Sequence, residues 1–211
     1  YIAVIDYGVG NLMSVTNALQ YIGRESKITD QASDLERADG IILPGVGAFP
    51  DAAEKLQQTG LVATLKEQAA KKPVLGICLG MQLLFDWSSE VRKTDGLGFV
   101  SGQVELIETD LKLPHIGWNS LQFPNPSPLF AGLDEGCYVY FVHSLCGSGV
   151  DQGGVSFLCH SQLLVVLDQF LLRVGQGVIG GAGSLDRVAA VGSNFADGID
   201  QVVHCLCGSG V

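Results

Sequence analysis

Through the first half of the chain, short apolar runs closed by glycine or proline alternate with stretches whose apolar residues recur every three or four positions. Residues 2–5 form such a run, ended by Asp6-Tyr7-Gly8, and residues 12–22 then place Leu12, Val15, Leu19 and Ile22 on one helical face. A second helix is predicted to begin near Ser33, whose side chain can cap it with Glu36 three places on. Ile41-Ile42-Leu43 reads as a strand stopped by Pro44-Gly45, residues 51–71 as a helix, residues 73–77 as a buried strand and residues 79–86 as a further helix. Beyond Gly98 the period shortens. Val100, Val104, Leu106 and Ile107 predict a hairpin region within residues 98–123, and residues 139–142 one more buried strand. Strands that alternate with helices predict an α/β fold, with a mostly parallel twisted sheet flanked by helices.

After Ser144 the chemistry of the chain changes. Residues 145–211 contain no Glu, Lys, Pro, Tyr, Trp or Met, yet hold four of the six Cys and 13 of the 28 Gly. Apolar runs such as residues 163–167 still read as strands. Leu145-Cys146-Gly147-Ser148-Gly149-Val150 recurs unchanged as residues 206–211, but two copies are too few for a solenoid. The organisation expected is an α/β domain over residues 1–144 and a Gly- and Cys-rich tail over 145–211.

With 211 residues, 47% of them hydrophobic, the chain can bury one sizeable core, which excludes a disordered or collagen-like protein. A net charge of −10 would repel a phosphate backbone, so nucleic acid is not an expected partner. No basic segment followed by an apolar run opens the sequence, and no stretch of roughly 18 apolar residues occurs in it. Neither export nor a membrane span is expected. The chain reads as cytoplasmic, with its cysteines reduced.

The sharpest chemical signal is Gly76-Ile77-Cys78-Leu79-Gly80, set between an apolar strand and a predicted helix. This is the thiol form of a nucleophile elbow, a tight strand-to-helix turn that projects the nucleophile from the end of a sheet. A thiol at a helix N-terminus gains from the unpaired N–H groups there, which favour the reactive thiolate. A lone cysteine is more often a small buried hydrophobe; the glycines and the strand-to-helix context reverse that preference here. Pro44-Gly45-Val46-Gly47-Ala48 also follows a buried strand, and its glycines would let a backbone N–H face a developing oxyanion. Alone it is a plain Gly-rich turn; beside an elbow of the same sheet it completes a site.

Asp6-Tyr7-Gly8-Val9-Gly10-Asn11, residues 43–49, residues 76–85, Pro114-His115-Ile116-Gly117-Trp118-Asn119 and Tyr140-Phe141-Val142-His143-Ser144 closely resemble the glutaminase subunit of imidazole glycerol phosphate synthase. Gly-x-Cys-x-Gly is shared by class I glutamine amidotransferases at large. The resemblance implies that fold, no cofactor, and attack of Cys78 on the side-chain amide of glutamine through a γ-glutamyl thioester. It further implies an oxyanion hole from Val46, Gly47 and Leu79, and glutamine contacts from Gln82 and Ser144. Asn11, Trp118, Asn119 and Tyr140 would face a (β/α)8-barrel cyclase that receives the ammonia. Core packing is the plain alternative for Trp118 and Tyr140, and a hydrogen-bonded scaffold role for His115 and His143.

The resemblance ends at Ser144. Family members carry their base and its orienting acid in a C-terminal Phe-His-Pro-Glu-Lys-Ser motif, and this tail has neither Pro nor Glu. Its two imidazoles, His160 and His204, lack an acidic residue two places on. Turnover should therefore be impaired. Codons that can encode Leu145 to Val150, read two bases earlier, can encode Tyr-Tyr-Val-Val-Pro-Glu, much as the family continues; the tail thus reads as a frame-slipped segment. A diverged packing tail is the alternative. Two competing functions stay open: a catalytically dead scaffold that binds the cyclase, and another Cys-elbow α/β hydrolase. A zinc site from Cys159-His160 and Cys205-x-Cys207 is disfavoured by its spacing, so no metal is expected.

Overall fold

The structure, a computed structural model, describes residues 1–121, 134–148, 155–157 and 165–167. Strands β1 (Ile2–Ile5) and β3 (Gly40–Leu43) are buried at every position, as is β4 (Val74–Gly76). Strands covered on both faces read as unbroken apolar runs, which is why the sequence announces them. Strand β2 (Ser26–Thr29) has no such run; its Ser-Lys-Ile-Thr sequence suits the sheet edge that it occupies. With β11 (Val155–Phe157) and β12 (Val165–Leu167) these strands make a six-stranded sheet in the order β11-β12-β4-β3-β1-β2. β1 is parallel to β2 and β3, β3 is parallel to β4, and β12 lies antiparallel to β4.

Helices α1 (Leu12–Tyr21) and α2 (Ala32–Arg37) connect the first three strands. Val15, Ala18 and Leu19 form the buried stripe of α1. Gln31, not Ser33, is the N-terminal flanking residue of α2, and no side chain caps it. The Thr29 hydroxyl instead accepts from the Gln31 N–H at 3.0 Å and donates to Asp34 at 2.6 Å. Residues 51–71 are two helices, α3 (Phe49–Gln58) and α4 (Val62–Ala69). The break is at Gly60, whose φ of +73° is open to glycine at little cost and ends the first helix.

A second sheet has the order β10-β7-β5-β6, from β5 (Phe85–Ser88), β6 (Thr94–Asp95), β7 (Val100–Leu106) and β10 (Leu145–Ser148). The helix expected over residues 79–86 is a single turn, α5 (Leu79–Gln82), before the chain enters β5. The carbonyls of Leu83 and Phe85 accept from Leu97 and Gly98, and that of Leu84 accepts from both Phe99 and Val100. This long-range pairing outcompetes the local helix. Among the described residues the expected hairpin does not form, for a similar reason: β7 pairs with β5 and β10, while β8 (His115–Ser120) pairs antiparallel with β9 (Tyr138–His143) as a separate ribbon. Residues beyond Ser144 thus supply strands to both larger sheets.

Asp34, 3% exposed, ties β2 to α2. Its carboxylate takes Lys27 at 2.7 Å, Arg37 at 2.8 Å and the Thr29 hydroxyl. Hydrogen bonds from Lys27, then Thr29 and Arg37, hold the carboxyl down to about 2 from its ordinary 3.8. The folded carboxyl releases its proton more readily than the unfolded one. The stabilisation is therefore complete above the ordinary value and is lost as pH falls towards about 2. Urea midpoints measured between pH 5 and 2 should fall more steeply for this protein than for Asp34→Asn; equal slopes would show that Asp34 is not the group responsible.

Candidate active site

The nucleophile is positioned by close backbone packing between β4, α5 and β3. The Ile77 N–H bonds to the Leu43 carbonyl at 3.0 Å, and the Met81 N–H to the Cys78 carbonyl at 3.0 Å, so the turn is fixed on both sides of Cys78. Cys78 itself has φ +55° and ψ −118°, a conformation that costs a non-glycine residue about 1–3 kcal/mol. Its flanking glycines have a different task. A Cβ at Gly80 would sit 1.8 Å from the Leu43 carbonyl oxygen, and one at Gly76 would sit 2.4 Å from the Met81 Cα. They are glycines because β3, β4 and α5 meet there without room for a side chain.

Burial raises the Cys78 thiol above its ordinary value, and a hydrogen bond from the Leu79 backbone only partly offsets this. The thiolate-favouring helix expected from the sequence is not what forms. The four-residue α5 has little dipole to offer, and desolvation wins.

The Pro44–Gly47 loop leaves β3 beside this elbow. A Cβ on Gly45 would lie 2.6 Å from the Gly80 nitrogen and 2.9 Å from the Leu79 Cβ, while one on Gly10 would lie 3.1 Å from the Pro44 Cβ. Three segments thus converge: residues 7–10, 44–47 and 78–80. Val46 is 53% exposed, and Gly47, with φ +103°, has open space where a Cβ would stand. Gln82 is buried on α5.

Two residues not singled out by the sequence tie down the loop. Tyr7 donates from its hydroxyl to the Pro44 carbonyl at 2.7 Å, and Glu90 accepts from the Phe49 N–H at 2.7 Å, where α3 begins. Tyr7 lies within a quoted motif, but nothing in the sequence points its hydroxyl at residue 44. The Glu90 contact spans 41 positions and leaves no local signal at all.

The remaining candidates lie on the β8–β9 ribbon or at loop ends. Trp118 and Tyr140 are opposed in register, 53% and 50% exposed, with ring centroids 5.6 Å apart edge to face. They are surface residues, so the core reading of both is wrong, as is the expectation of a wholly buried strand at residues 139–142. Ile116 and Val142 extend the same exposed side. Asn119 does not share it. It belongs to the opposite side of the ribbon with His115, to which its amide nitrogen bonds at 3.3 Å. Asn11 caps α1, accepting from the Ser14 N–H at 3.2 Å. The Ser144 carbonyl accepts from Ile107 at 2.9 Å.

His115 and His143 form one hydrogen-bonded chain: His115 Nδ1 faces His143 Nε2 at 3.1 Å, and His143 Nδ1 faces the Leu145 carbonyl at 3.2 Å. A carbonyl only accepts, so Nδ1 of His143 carries a proton; with both rings neutral, its Nε2 accepts from His115, and Nε2 of His115 accepts from Asn119. All four ring nitrogens are engaged within the ribbon and its end. His160, His204, Cys159, Cys205 and Cys207 lie outside the described residues. Among the described residues no group of three or more His, Cys, Asp or Glu could hold a metal ion, and no helix is long and apolar enough to cross a membrane.

Comparison with known proteins identifies the family. The family described as glutamine amidotransferase class-I matches residues 3–163. The imidazole glycerol phosphate synthase subunit HisH of Bacillus cereus is 51% identical over 144 residues, which is 68% of this chain and 69% of that protein. The subunit of the same name from Moorella thermoacetica is 50% identical over the same shares. A solved glutamine amidotransferase superposes with a TM-score of 0.60 at 17% identity, over 78% of this chain and 84% of that one, a likeness of fold alone. The chain belongs to the class I glutamine amidotransferase family, and within it to the HisH subunits.

Proposed function

We propose that this chain is the glutaminase subunit of an imidazole glycerol phosphate synthase, working in the cytoplasm as a heterodimer with a (β/α)8-barrel cyclase in histidine biosynthesis. The observation that carries this reading is Cys78, held at positive φ in an elbow that touches the Pro44–Gly47 loop. The Cys78 sulfur would attack the side-chain amide carbon of glutamine. The C–N bond breaks, the departing nitrogen takes up the proton lost by the thiol and leaves as ammonia, and water hydrolyses the γ-glutamyl thioester to glutamate, freeing the thiol. Backbone N–H groups of Val46, Gly47 and Leu79 would stabilise the oxyanion; that of Leu79 rests on the Cys78 sulfur until then. Gln82 and Ser144 would hold the α-amino and α-carboxyl groups of glutamine. The missing Glu and the engaged histidines make turnover weak.

A second reading, a scaffold that binds the cyclase without catalysis, is favoured by those same histidines, both consumed by the ribbon. The two readings share an interface and differ in chemistry. Trp118 and Tyr140 would be its centre in either case, because contiguous exposed apolar patches mark interaction surfaces and Trp and Tyr are enriched among the residues that carry binding energy. Co-elution with the barrel cyclase in size-exclusion chromatography is expected for the intact chain and lost, by about tenfold or more in affinity, in Trp118→Asp/Tyr140→Asp. A folded chain that never co-elutes would count against both readings. Residues 145–211 are taken as the frame-slipped continuation of an ordinary HisH gene; sequencing across the Ser144 codon tests this, and an intact single frame would refute it.

A further inference from the structure

We propose that Tyr7 is a positioning residue for the oxyanion loop: its hydroxyl holds the Pro44 carbonyl and so sets the direction of the amides that follow. The proposal rests on the glutaminase reading and adds a residue to it. Tyr7 is 4% exposed, at the end of β1, and its hydroxyl donates to Pro44 at 2.7 Å across 37 positions of sequence. A trans peptide points its N–H opposite to its C=O, so a grip on the Pro44 oxygen also fixes the Gly45 N–H. Gly45 is crowded at the same point: a Cβ there would lie 2.9 Å from the Tyr7 oxygen and 2.6 Å from the Gly80 nitrogen. The Tyr7 hydroxyl and the elbow thus leave no room for a side chain where the loop begins. Two residues later the constraint ends, and Val46 and Gly47 stand exposed.

Burial, and then the neighbouring Cys78, push the Tyr7 hydroxyl well above its ordinary value. Two consequences follow. The hydroxyl lies within electrostatic reach of the thiol, and it keeps its proton throughout the working pH range. Tyr7 cannot replace the missing base. Its role is mechanical, to hold the loop's first peptide so that later amides meet the oxygen on the carbon that Cys78 attacks. An oxyanion hole gains its effect from donors already in place, and freedom at its root would be spent on reorganisation.

Tyr7→Phe removes the single O–H and keeps the ring, so the core is preserved. Two reagents separate loop positioning from general damage. Iodoacetamide alkylates a thiol by simple displacement, with no oxygen to be stabilised. A chloromethyl ketone analogue of glutamine also forms an S–C bond and expels chloride, with the thiol proton going to solvent, but its ketone oxygen must occupy the oxyanion site. The expected result for Tyr7→Phe is an iodoacetamide rate within about twofold of the intact chain, and a chloromethyl ketone rate constant at saturation reduced about tenfold with little change in half-saturation. The figure is set below the roughly 10²–10³-fold cost of deleting an oxyanion donor outright. Equal rates for both reagents in the two proteins, or equal losses with both, would overturn the role of Tyr7. If the intact chain reacts with iodoacetamide but shows no saturable reaction with the ketone, the glutaminase reading fails, and the Tyr7 proposal with it.

Discussion

Gly80→Ala is expected to cost the chain about 3 kcal/mol or more, at the upper end of what overpacking does, and to take the nucleophile turn with it. The added methyl would stand 1.8 Å from the carbonyl oxygen and 2.7 Å from the carbonyl carbon of Leu43. Neither is the end of a side chain that can swing aside. Leu43 belongs to β3, paired on one side with β1 and on the other with β4, so relief requires a central strand of the large sheet to move. Gly47→Ala is the control. Its φ of +103° penalises any side chain, but nothing lies within 4 Å of the new methyl, and a loss of only about 1–3 kcal/mol from backbone strain is expected. Urea unfolding of both variants, with the reactivity of Cys78 as a local probe, measures the difference. Should the two lose equal stability, β3 yields easily and the packing explanation of the elbow glycines is wrong.

That contrast also marks how far the sequence could be read. Gly76-Ile77-Cys78-Leu79-Gly80 announces an elbow, and the apolar runs of β1, β3 and β4 announce the sheet, because buried strands and tight turns are written in consecutive residues. The reason for each glycine is not. Gly80 answers to Leu43, and Gly10 to Pro44, across contacts that no local pattern encodes. The same limit explains the misread elements. Leu83, Leu84 and Phe85 continue an apolar run that suits a helix, but their carbonyls are claimed by residues 97–100. β2 carries no apolar signature because an edge strand needs little hydrophobicity, and no local pattern in residues 98–123 shows that β7 and β8 each pair with distant strands.

The site divides in the same way. Cys78 and the Pro44–Gly47 loop were legible as separate motifs, and the topology brings them together. Trp118, Asn119 and Tyr140 were expected on one surface. Strand alternation separates Asn119 from the other two, a consequence of the register Trp118↔Tyr140 that is read directly from the ribbon. The Tyr7 and Glu90 contacts could not be read at all, since both join a side chain to a backbone atom more than thirty positions away.

Glutamine hydrolysis by this chain, even with the cyclase present, is expected to stay roughly 10⁴–10⁶-fold below that of a family member with an intact triad, the scale of loss when triad residues are removed. The thiol must lose a proton before attack, and water must lose one before the thioester can be hydrolysed. Burial holds the first proton more tightly than in an ordinary cysteine, and the one-turn α5 does little to loosen it. His115 and His143 are already bound into the Asn119–His115–His143–Leu145 chain, so taking that proton would mean breaking a hydrogen bond there. The tail contains no Glu to orient any other imidazole. Cys78 should nevertheless be alkylated by iodoacetamide, and the pH dependence of that reaction carries the test. Only the thiolate reacts, so a raised value means that the rate climbs about tenfold per unit through neutral pH and is still rising at pH 9.0, the ordinary cysteine value. A plateau below pH 8 would mean that a cation or base beside the sulfur outweighs its burial. Cyclase-stimulated glutaminase activity near that of intact relatives, abolished in Cys78→Ala, would refute the expected loss and direct the search for a base to His204 and then His160.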